Sequence, residues 1–254
     1  MDDGVRVRVA PELVFLLPAG SRAAGVRRLG FDPDATVGHV VQAAGIPLTE
    51  AGELSVDGRP VAVTARTTPC STVDVAAAPR PQPAPPGGFL LDVGLGALAR
   101  RLRLLGLDAA WSADADDPDL ARRAVAEQRV LLTQDRGLLK RRSLGRQGGA
   151  LVRGTGPDEQ LADVLDRFAP ALAPLTRCTA CGAPLESVAK ADVADLLPDG
   201  TRRSYDDFSR CPACGRVYWH GAHARRIGAL VRKAVRGSRV DGTTEETDRG
   251  ALRR

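Results

Sequence analysis

Residues 89–108, FLLDVGLGALARRLRLLGLD, combine a short strand and an amphipathic helix in direct succession. Phe89–Leu91 is an uninterrupted apolar run with the length of a buried parallel strand, and Asp92 follows it at once. Apolar residues then recur with the period of a helix until Gly106 ends the pattern. The stretch therefore predicts a strand that delivers a carboxylate to the edge of a sheet and a helix that covers the sheet.

The same pattern returns farther along the chain. A short apolar segment at residues 109–112 precedes an acidic loop at residues 114–119 and a helical pattern that runs to Gln128. Val130–Thr133 is another apolar strand, and Asp135 lies just beyond it. Strands and helices that alternate over short connections predict a parallel sheet with right-handed crossovers.

Three acids are expected at one edge of this sheet: Asp92, Asp135 and one acid of the loop at residues 114–119. Carboxylates gathered at one place repel one another unless a cation neutralises them, and Mg²⁺ or Mn²⁺ prefers such oxygen ligands. A cation there can polarise a phosphate and activate water for hydrolysis. Each aspartate also fits a helix N-cap, and the two roles are compatible.

Four cysteines form two matched pairs in the last third of the chain. Cys178 and Cys181 are separated by two residues, as are Cys211 and Cys214, and a glycine follows each pair. This twinned spacing predicts a structural Zn²⁺ site of the ribbon type. Two disulfides or a redox dithiol are the alternatives. The sequence starts without the basic segment of a secretory signal, so we expect a cytoplasmic protein with reduced cysteines.

A proline-rich segment separates this part of the chain from an N-terminal unit. Five prolines within residues 79–86 predict an extended linker. Before it, the sequence predicts an alternating strand at Val5–Val9, a second apolar run at residues 13–17 and a helix that Gly45 ends. Strands around the Asp57-Gly58 turn and at residues 72–75 complete the order ββαβββ, which is similar to a ubiquitin-like β-grasp of the sulfur-carrier kind.

The net charge of +5 is unevenly distributed. Residues 1–79 hold 7 Lys or Arg against 9 Asp or Glu, whereas residues 80–254 hold 29 against 22. A basic second part indicates a polyanionic partner, above all nucleic acid, although a chain rich in Arg throughout produces the same bias. No apolar run reaches the roughly 18 residues that span a bilayer, so we expect no membrane segment.

Taken together, these motifs resemble the Mut-seven C-terminal RNase family, a PIN-like nuclease fold that carries a zinc ribbon. The resemblance rests on residues 92–108, on Asp117 with Leu120 and Ala124, on residues 129–136 and on the two cysteine pairs with residues 218–223. It implies a metal-dependent ribonuclease that acts on single-stranded RNA. It also implies that Asp92, Asp117 and Asp135 bind the catalytic Mg²⁺ or Mn²⁺, with Asp116 and Asp119 as alternatives to Asp117.

The expected domains follow from these boundaries. We predict a ubiquitin-like β-grasp at residues 1–79, a linker at 80–87, a PIN-like three-layer α/β/α domain with a parallel sheet at 88–173, a zinc ribbon at 174–224, and a basic helix with a disordered tail at 225–254. We expect Arg100, Arg103, Arg136 and Lys140 to bind RNA phosphates. His220 and His223 are expected to lie outside the four-thiolate site, and Tyr218 and Trp219 to pack beside the ribbon or stack on a base.

Two other functions are compatible with the same sequence. One is a catalytically inactive module that binds RNA or another protein, since a fold does not fix an activity. The other is a sulfur-carrier-like partner that acts through the N-terminal domain. A sulfur carrier needs a free C-terminal Gly-Gly, whereas Gly87-Gly88 is internal and leads into the next strand. A fused module for interaction with another protein or for stability is therefore the favoured role for the N-terminal unit.

Overall fold

The structure, a computed structural model, describes residues 3–219. It is a mixed α/β protein with a five-stranded sheet, a four-stranded parallel sheet and a three-stranded sheet beside the cysteines. Every helix in this part of the chain is too short or too polar to cross a membrane. The basic helix predicted at residues 225–236, the disordered tail, His220 and His223 lie outside the described residues.

The N-terminal unit is a five-stranded sheet with one main helix. Strands β1 and β5 run parallel, and the other pairs of the order β2-β1-β5-β3-β4 are antiparallel. This arrangement confirms the predicted β-grasp and its ββαβββ order. The elements are β1 (Val5–Val9), a 3₁₀ helix (Pro11–Leu16), α1 (Ala19–Arg22), β2 (Val26–Leu29), α2 (Val37–Ala44), β3 (Ala51–Val56), β4 (Arg59–Pro60) and β5 (Thr72–Ala77).

The second strand is not where the apolar pattern placed it. Residues 13–17 belong mostly to a 3₁₀ helix that begins at Pro11 and buries Leu13 and Leu16. The strand that pairs antiparallel with β1 is β2, which lies at the edge of the sheet and has apolar residues only at its two ends. An edge strand of this kind is only partly buried, so its sequence carries a weak apolar pattern.

The second unit, at residues 88–173, is built on four parallel strands in the order β7-β6-β8-β9, and we call it the nuclease-like unit after the fold that the sequence predicts for it. Its strands and helices alternate as the sequence predicts. The elements are β6 (Phe89–Leu91), a 3₁₀ helix (Val93–Leu95), α3 (Gly96–Leu104), β7 (Ala109–Trp111), α4 (Asp117–Ala126), β8 (Val130–Thr133), α5 (Arg136–Leu139), a 3₁₀ helix (Arg142–Leu144), β9 (Gly149–Leu151) and α6 (Pro157–Phe168).

The two faces of the parallel sheet pack against different partners. Leu91 and Leu132 join one apolar cluster with residues of α3 and α6. Leu90 and Leu131 face the other side and join a cluster that contains residues of α4 and α5 together with the core of the β-grasp. Helices therefore cover both faces, as in an α/β/α arrangement, and one of these layers shares its core with the N-terminal unit.

A small third unit carries the cysteines. Its strands form a sheet in the order β10-β11-β12, with both pairs antiparallel. A small apolar cluster that includes Val193, Leu197 and Phe208 lies beside this sheet. The elements are β10 (Glu186–Val188), α7 (Lys190–Val193), a 3₁₀ helix (Ala194–Leu196), α8 (Asp199–Ser204), β11 (Phe208–Arg210) and β12 (Val217–Trp219).

A buried ion pair joins the β-grasp to the nuclease-like unit. The Nη1 of Arg167 on α6 lies 2.8 Å from both carboxylate oxygens of Glu50, and the two side chains are 3% and 2% exposed. Glu50 also accepts the backbone N–H of Leu151 at 2.9 Å, and Arg167 donates to the carbonyl of Thr49 at 2.9 Å. Both charges are thus paired and hydrogen-bonded away from water, which is the condition for a buried pair to be tolerated.

The proline-rich segment and the Gly-Gly pair are both fixed to the nuclease-like unit. Arg80 pairs with Asp163 and Asp166 of α6, each at 2.8 Å. A Cβ on Gly87 would lie 2.1 Å from the carbonyl oxygen of Glu127, so only glycine fits there. Gly88 has a φ of +78° and accepts a hydrogen bond from the backbone of β8. Gly87-Gly88 is therefore part of the folded domain and not a tail.

We predict that Glu50→Gln lowers the free energy of unfolding by about 3 to 5 kcal/mol, because it leaves the buried guanidinium of Arg167 without a counter-charge. Urea unfolding followed by circular dichroism measures the change. Glu53→Gln is the matched control on an exposed position of β3, the strand that begins one residue after Glu50, where we expect a change within about 0.5 kcal/mol. Equal stability of the two variants would contradict the assigned role of the ion pair.

Candidate active site and metal centre

Asp92 and Asp135 lie at the same edge of the parallel sheet. Strands β6 and β8 are direct neighbours, with Leu91 opposite Leu132, so the residues that follow them emerge side by side. Thr133 connects the two aspartates. Its hydroxyl donates to Oδ2 of Asp92 at 2.6 Å and accepts the backbone N–H of Asp135 at 2.9 Å. Because Thr133 is 0% exposed, water does not compete for these two hydrogen bonds.

Both aspartates also cap helices, as the sequence allows. Oδ1 of Asp92 accepts the N–H of Val93 at 2.6 Å, and Oδ1 of Asp135 accepts the N–H of Gly137 at 2.6 Å. Each bond fixes the direction of a carboxylate. Within residues 3–219, Oδ2 of Asp135 makes no hydrogen bond. This oxygen and the remaining lone pairs of Asp92 are the groups that can bind a cation.

Three of the four aspartates in the acidic loop have different roles at the start of α4. Asp116 is the N-cap of α4 and accepts the N–H of Asp119 at 2.8 Å. Asp119 pairs with Arg122 one turn later on the same helix. Asp117 is the first residue of α4, and its Oδ2 lies 3.7 Å from Arg141. Asp117 therefore faces the segment that follows Asp135, whereas the other two carboxylates are used within their own helix.

The three aspartates do not form a closed cage. Among the residues that the structure describes, only the four cysteines make a group of three or more potential ligand residues whose ligand atoms all lie within 4.8 Å of one another. The arrangement at the sheet edge is instead an open pair of aspartates that Thr133 links through the side chain of one and the backbone of the other, with Asp117 on the neighbouring helix. The sequence predicted this edge but not the role of Thr133, for which the only signal was its place between strand β8 and Asp135.

The structure corrects the prediction that Arg103 binds RNA. The side chain is 2% exposed, so it does not reach the surface. It donates to the carbonyl of Ala109 at 2.8 Å and to that of Ala180 at 2.6 Å, and burial lowers the pKa of its guanidinium. Arg103 thus connects α3 with the first cysteine turn. Its burial comes from the cysteine turn that packs over α3, a tertiary contact that the local sequence pattern does not encode.

The other predicted phosphate-binding residues differ in their surroundings. Arg100 is exposed on α3. Arg136 is half-buried and donates to the carbonyl of Leu16 at 3.0 Å, so it also holds the β-grasp. Lys140 is half-buried, and its pKa is lowered first by burial and then by the positive charges of Arg136 and Arg27. Arg100 and Lys140 are therefore accessible to a ligand, and Arg136 has a structural role as well.

The four cysteines form a compact cluster of sulfur atoms. Sγ of Cys178 lies 3.5 Å from that of Cys214, and Sγ of Cys181 lies 3.4 Å from that of Cys211. Zn–S bonds of about 2.3 Å in a tetrahedron place the sulfurs about 3.8 Å apart, so the donor set fits Zn²⁺. The cluster could bind a zinc ion without large movement, and the predicted grouping of the cysteines is confirmed.

The two cysteine turns have the same backbone geometry. Gly182 has a φ of +86° and Gly215 a φ of +73°, a region that residues with a Cβ rarely adopt. The amide of Gly182 donates to the carbonyl of Cys178 at 2.8 Å, and that of Gly215 to the carbonyl of Cys211 at 2.9 Å. The glycine after each cysteine pair is thus required for the turn that aims both thiols at one point.

The thiols of this cluster ionise unequally. Burial opposes ionisation of Cys178, but hydrogen bonds from Tyr218 at 3.1 Å and from backbone amides lower its pKa to about 6. An amide hydrogen bond from Ala183 favours the thiolate of Cys181, yet burial and the neighbouring thiols raise its pKa to about 12. A divalent metal supplies the positive charge that allows all four thiols to ionise. The contact of Tyr218 with the cluster also confirms packing beside the ribbon.

Comparison with known protein families gives two matching family models. The model of the Mut7-C RNAse domain matches residues 87–231, which is more than half of the chain. The chain belongs to the Mut7-C RNAse domain family. The Mut7-C ubiquitin model matches residues 3–83, so the N-terminal β-grasp is the ubiquitin-like domain that accompanies this family. No curated protein and no solved structure matches the chain significantly.

We predict that Thr133→Val destabilises this Mut7-C RNAse domain by about 1 to 3 kcal/mol. The substitution keeps the side-chain shape but leaves Oδ2 of Asp92 and the N–H of Asp135 without their buried partner. Chemical denaturation measures the loss. Thr133→Ser keeps the hydroxyl, so most of the stability should remain. If the Val and Ser variants are equally stable, the hydroxyl is not what connects the two aspartates.

Proposed function

We propose that this chain is a metal-dependent ribonuclease that hydrolyses phosphodiester bonds of single-stranded RNA. The observation that carries this proposal is that Asp92 and Asp135 lie at the carboxyl edge of a parallel sheet, where the buried hydroxyl of Thr133 joins the carboxylate of Asp92 to the backbone N–H of Asp135. Ligands of open α/β sheets bind at this edge. The RNAse domain family provides independent support for nuclease chemistry.

Asp92, Asp135 and Asp117 would hold a Mg²⁺ or Mn²⁺ ion. Such an ion, when bound, polarises a phosphate and lowers the pKa of water. The chain itself provides orientation. Thr133 and the amide of Val93 fix the carboxylate of Asp92, and the amide of Gly137 fixes that of Asp135. Arg100 and Lys140 would bind the phosphates on either side of the cleaved bond.

The four cysteines would hold a structural zinc ion in the proposed enzyme. Arg103 donates to the carbonyls of Thr179 and Ala180 within the first cysteine turn, so the ribbon is anchored to helix α3. The same helix follows Asp92 after one 3₁₀ turn. A four-thiolate site requires reduced cysteines, which favours a cytoplasmic location.

A second candidate function is RNA binding without hydrolysis. The observation that favours it is that Asp92, Asp117 and Asp135 do not approach one another as closely as the four cysteines do. A sulfur-carrier role has less support, because Gly87-Gly88 is packed against residues 127–128 and Asp108 at the start of the nuclease-like unit. Release of a Gly88 terminus would expose this packed segment and separate β6 from the linker.

We predict cleavage of labelled single-stranded RNA by the full chain with Mn²⁺ and none with a chelator. Asp92→Asn and Asp135→Asn should each lower the rate at least about 100-fold, because each removes a charge on which cation binding depends. Asp199→Asn, on an exposed position of α8, is the control and should keep full activity. Cleavage that persists in the Asp92→Asn/Asp135→Asn variant would contradict the proposal, and metal-independent RNA binding without cleavage would support the second candidate.

Three separate variants distinguish the acids of helix α4. We expect Asp117→Asn to reduce the cleavage rate more than Asp116→Asn or Asp119→Asn, since only the carboxylate of Asp117 faces the segment beyond Asp135. The Asp116 variant should instead lower stability by about 1 kcal/mol through loss of the helix cap. A larger loss of activity in the Asp119 variant would exclude Asp117 as the third metal-binding acid.

We also predict one zinc ion per chain in the purified protein. Cys181→Ser should lose the metal and unfold at a lower denaturant concentration, because zinc binding contributes to the folding free energy of a ribbon. Elemental analysis measures the stoichiometry. Cys70→Ser is the matched control in the β-grasp, and we expect it to keep the zinc. Full zinc content in the Cys181 variant would mean that the metal binds elsewhere.

A further inference from the structure

The ubiquitin-like domain places a cation beside the nuclease-like unit. Nη1 of Arg27, on edge strand β2, donates to the carbonyl of Ala44 at the end of α2 at 3.1 Å. Gly45, the next residue, lies close to both Arg27 and Leu16. A Cβ added to Gly45 would lie 4.0 Å from Nη1 of Arg27 and 3.0 Å from the carbonyl oxygen of Leu16. The same carbonyl accepts Nη1 of Arg136 from the other domain at 3.0 Å. Arg27 and Arg136 therefore converge on one turn.

Lys140 completes the group from the other end of helix α5. It is half-buried at the C-cap of that helix, and the charges of Arg136 and Arg27 contribute to the lowering of its pKa after burial. We call Arg27, Arg136 and Lys140 the cross-domain basic cluster. Within residues 3–219, no carboxylate lies within 4.0 Å of the charged atoms of these three side chains.

Three close cations without an acid repel one another and favour a polyanion as ligand. Arg27 does not simply reflect a general excess of basic residues in its domain, because residues 1–79 carry a net charge of −2. The cluster also lies next to the candidate active site. Arg136 directly follows Asp135, and Lys140 lies about 7 Å from Asp135 along the helix axis at 1.5 Å per residue.

We propose that the cross-domain basic cluster binds the RNA backbone beside the bond cleaved at Asp92 and Asp135. The ubiquitin-like domain then forms part of the RNA-binding surface. This inference rests on the proposed function for the identity of the substrate, and it adds Arg27 and the first domain to the site. It also gives a reason for the rigid attachment of the two domains, since Arg27 must stay within reach of Lys140 for both to contact one strand.

The test measures binding separately from cleavage. Fluorescence anisotropy of a labelled single-stranded RNA is recorded with the full chain in the Asp92→Asn/Asp135→Asn background, without divalent metal and over a range of salt concentrations. Arg27→Gln should weaken binding about 3- to 10-fold near 100 mM salt. It should also reduce the slope of log affinity against log salt by about 0.7, the value for one lost phosphate contact to a single strand.

Arg59→Gln is the matched control. It removes the same charge from the same domain, but on strand β4 at the opposite edge of the sheet, so we expect unchanged binding. Lys140→Gln is a second test, because the side chain of Lys140 makes no hydrogen bond within the described residues and its replacement should leave the fold intact. It should weaken binding and reduce the salt slope as Arg27→Gln does.

Unchanged affinity and salt slope in both Arg27→Gln and Lys140→Gln would overturn the inference. If the unmodified chain still cleaves RNA in that case, the proposed function stands and only the role of the cluster fails. If the unmodified chain neither binds nor cleaves RNA, both proposals fail. An equal loss of affinity in Arg59→Gln would show that only the overall charge matters, which would also overturn the role of the cluster.

Discussion

The ion pair between Glu50 and Arg167 is the interaction on which the relative position of the β-grasp and the nuclease-like unit depends. A buried ion pair adds little net stability compared with apolar packing. However, the folded protein loses much stability when one partner is removed, because the other charge is left buried and unpaired. The main effect of the ion pair is therefore to fix the position of the β-grasp relative to the nuclease-like unit. Glu50 also accepts the amide of Leu151. The turn before β3, helix α6 and strand β9 must therefore all be correctly placed for these bonds to form. Apolar contacts alone would permit small shifts between the β-grasp and the parallel sheet.

Arg103 plays a corresponding part at the other end of the nuclease-like unit. Its guanidinium is buried and donates to the carbonyl of Ala109 on strand β7 and to that of Ala180 in the first cysteine turn. Burial lowers the pKa of Arg103, and the charges of Cys181 and Cys178 offset part of this effect. A metal-bound cluster of four thiolates would carry a negative charge that balances the positive charge of Arg103. Two buried arginines thus hold the β-grasp and the ribbon on the same central domain.

The sequence allowed prediction of the elements that depend on local pattern. Strands β6 and β8, helix α3 and the turns after each cysteine pair follow from apolar period, capping residues and glycine. The misplaced second strand and the misassigned Arg103 have a common cause. Strand β2 is an edge strand, and Arg103 lies on a helix whose polar side meets the ribbon, so tertiary contacts decide both. Thr133 and Arg27 were missed because their partners lie on other strands or domains.

The open arrangement of the aspartates is consistent with the chemistry proposed for it. Mg²⁺ loses its water reluctantly and is commonly held by one or two carboxylates together with substrate phosphates, not by a closed protein cage. Two aspartates whose carboxylates are oriented by Thr133 and by backbone amides would leave coordination positions for such phosphates. Asp117, on a separate helix and paired loosely with Arg141, would then bind from the side. A cage complete without substrate would leave fewer coordination positions for the phosphate.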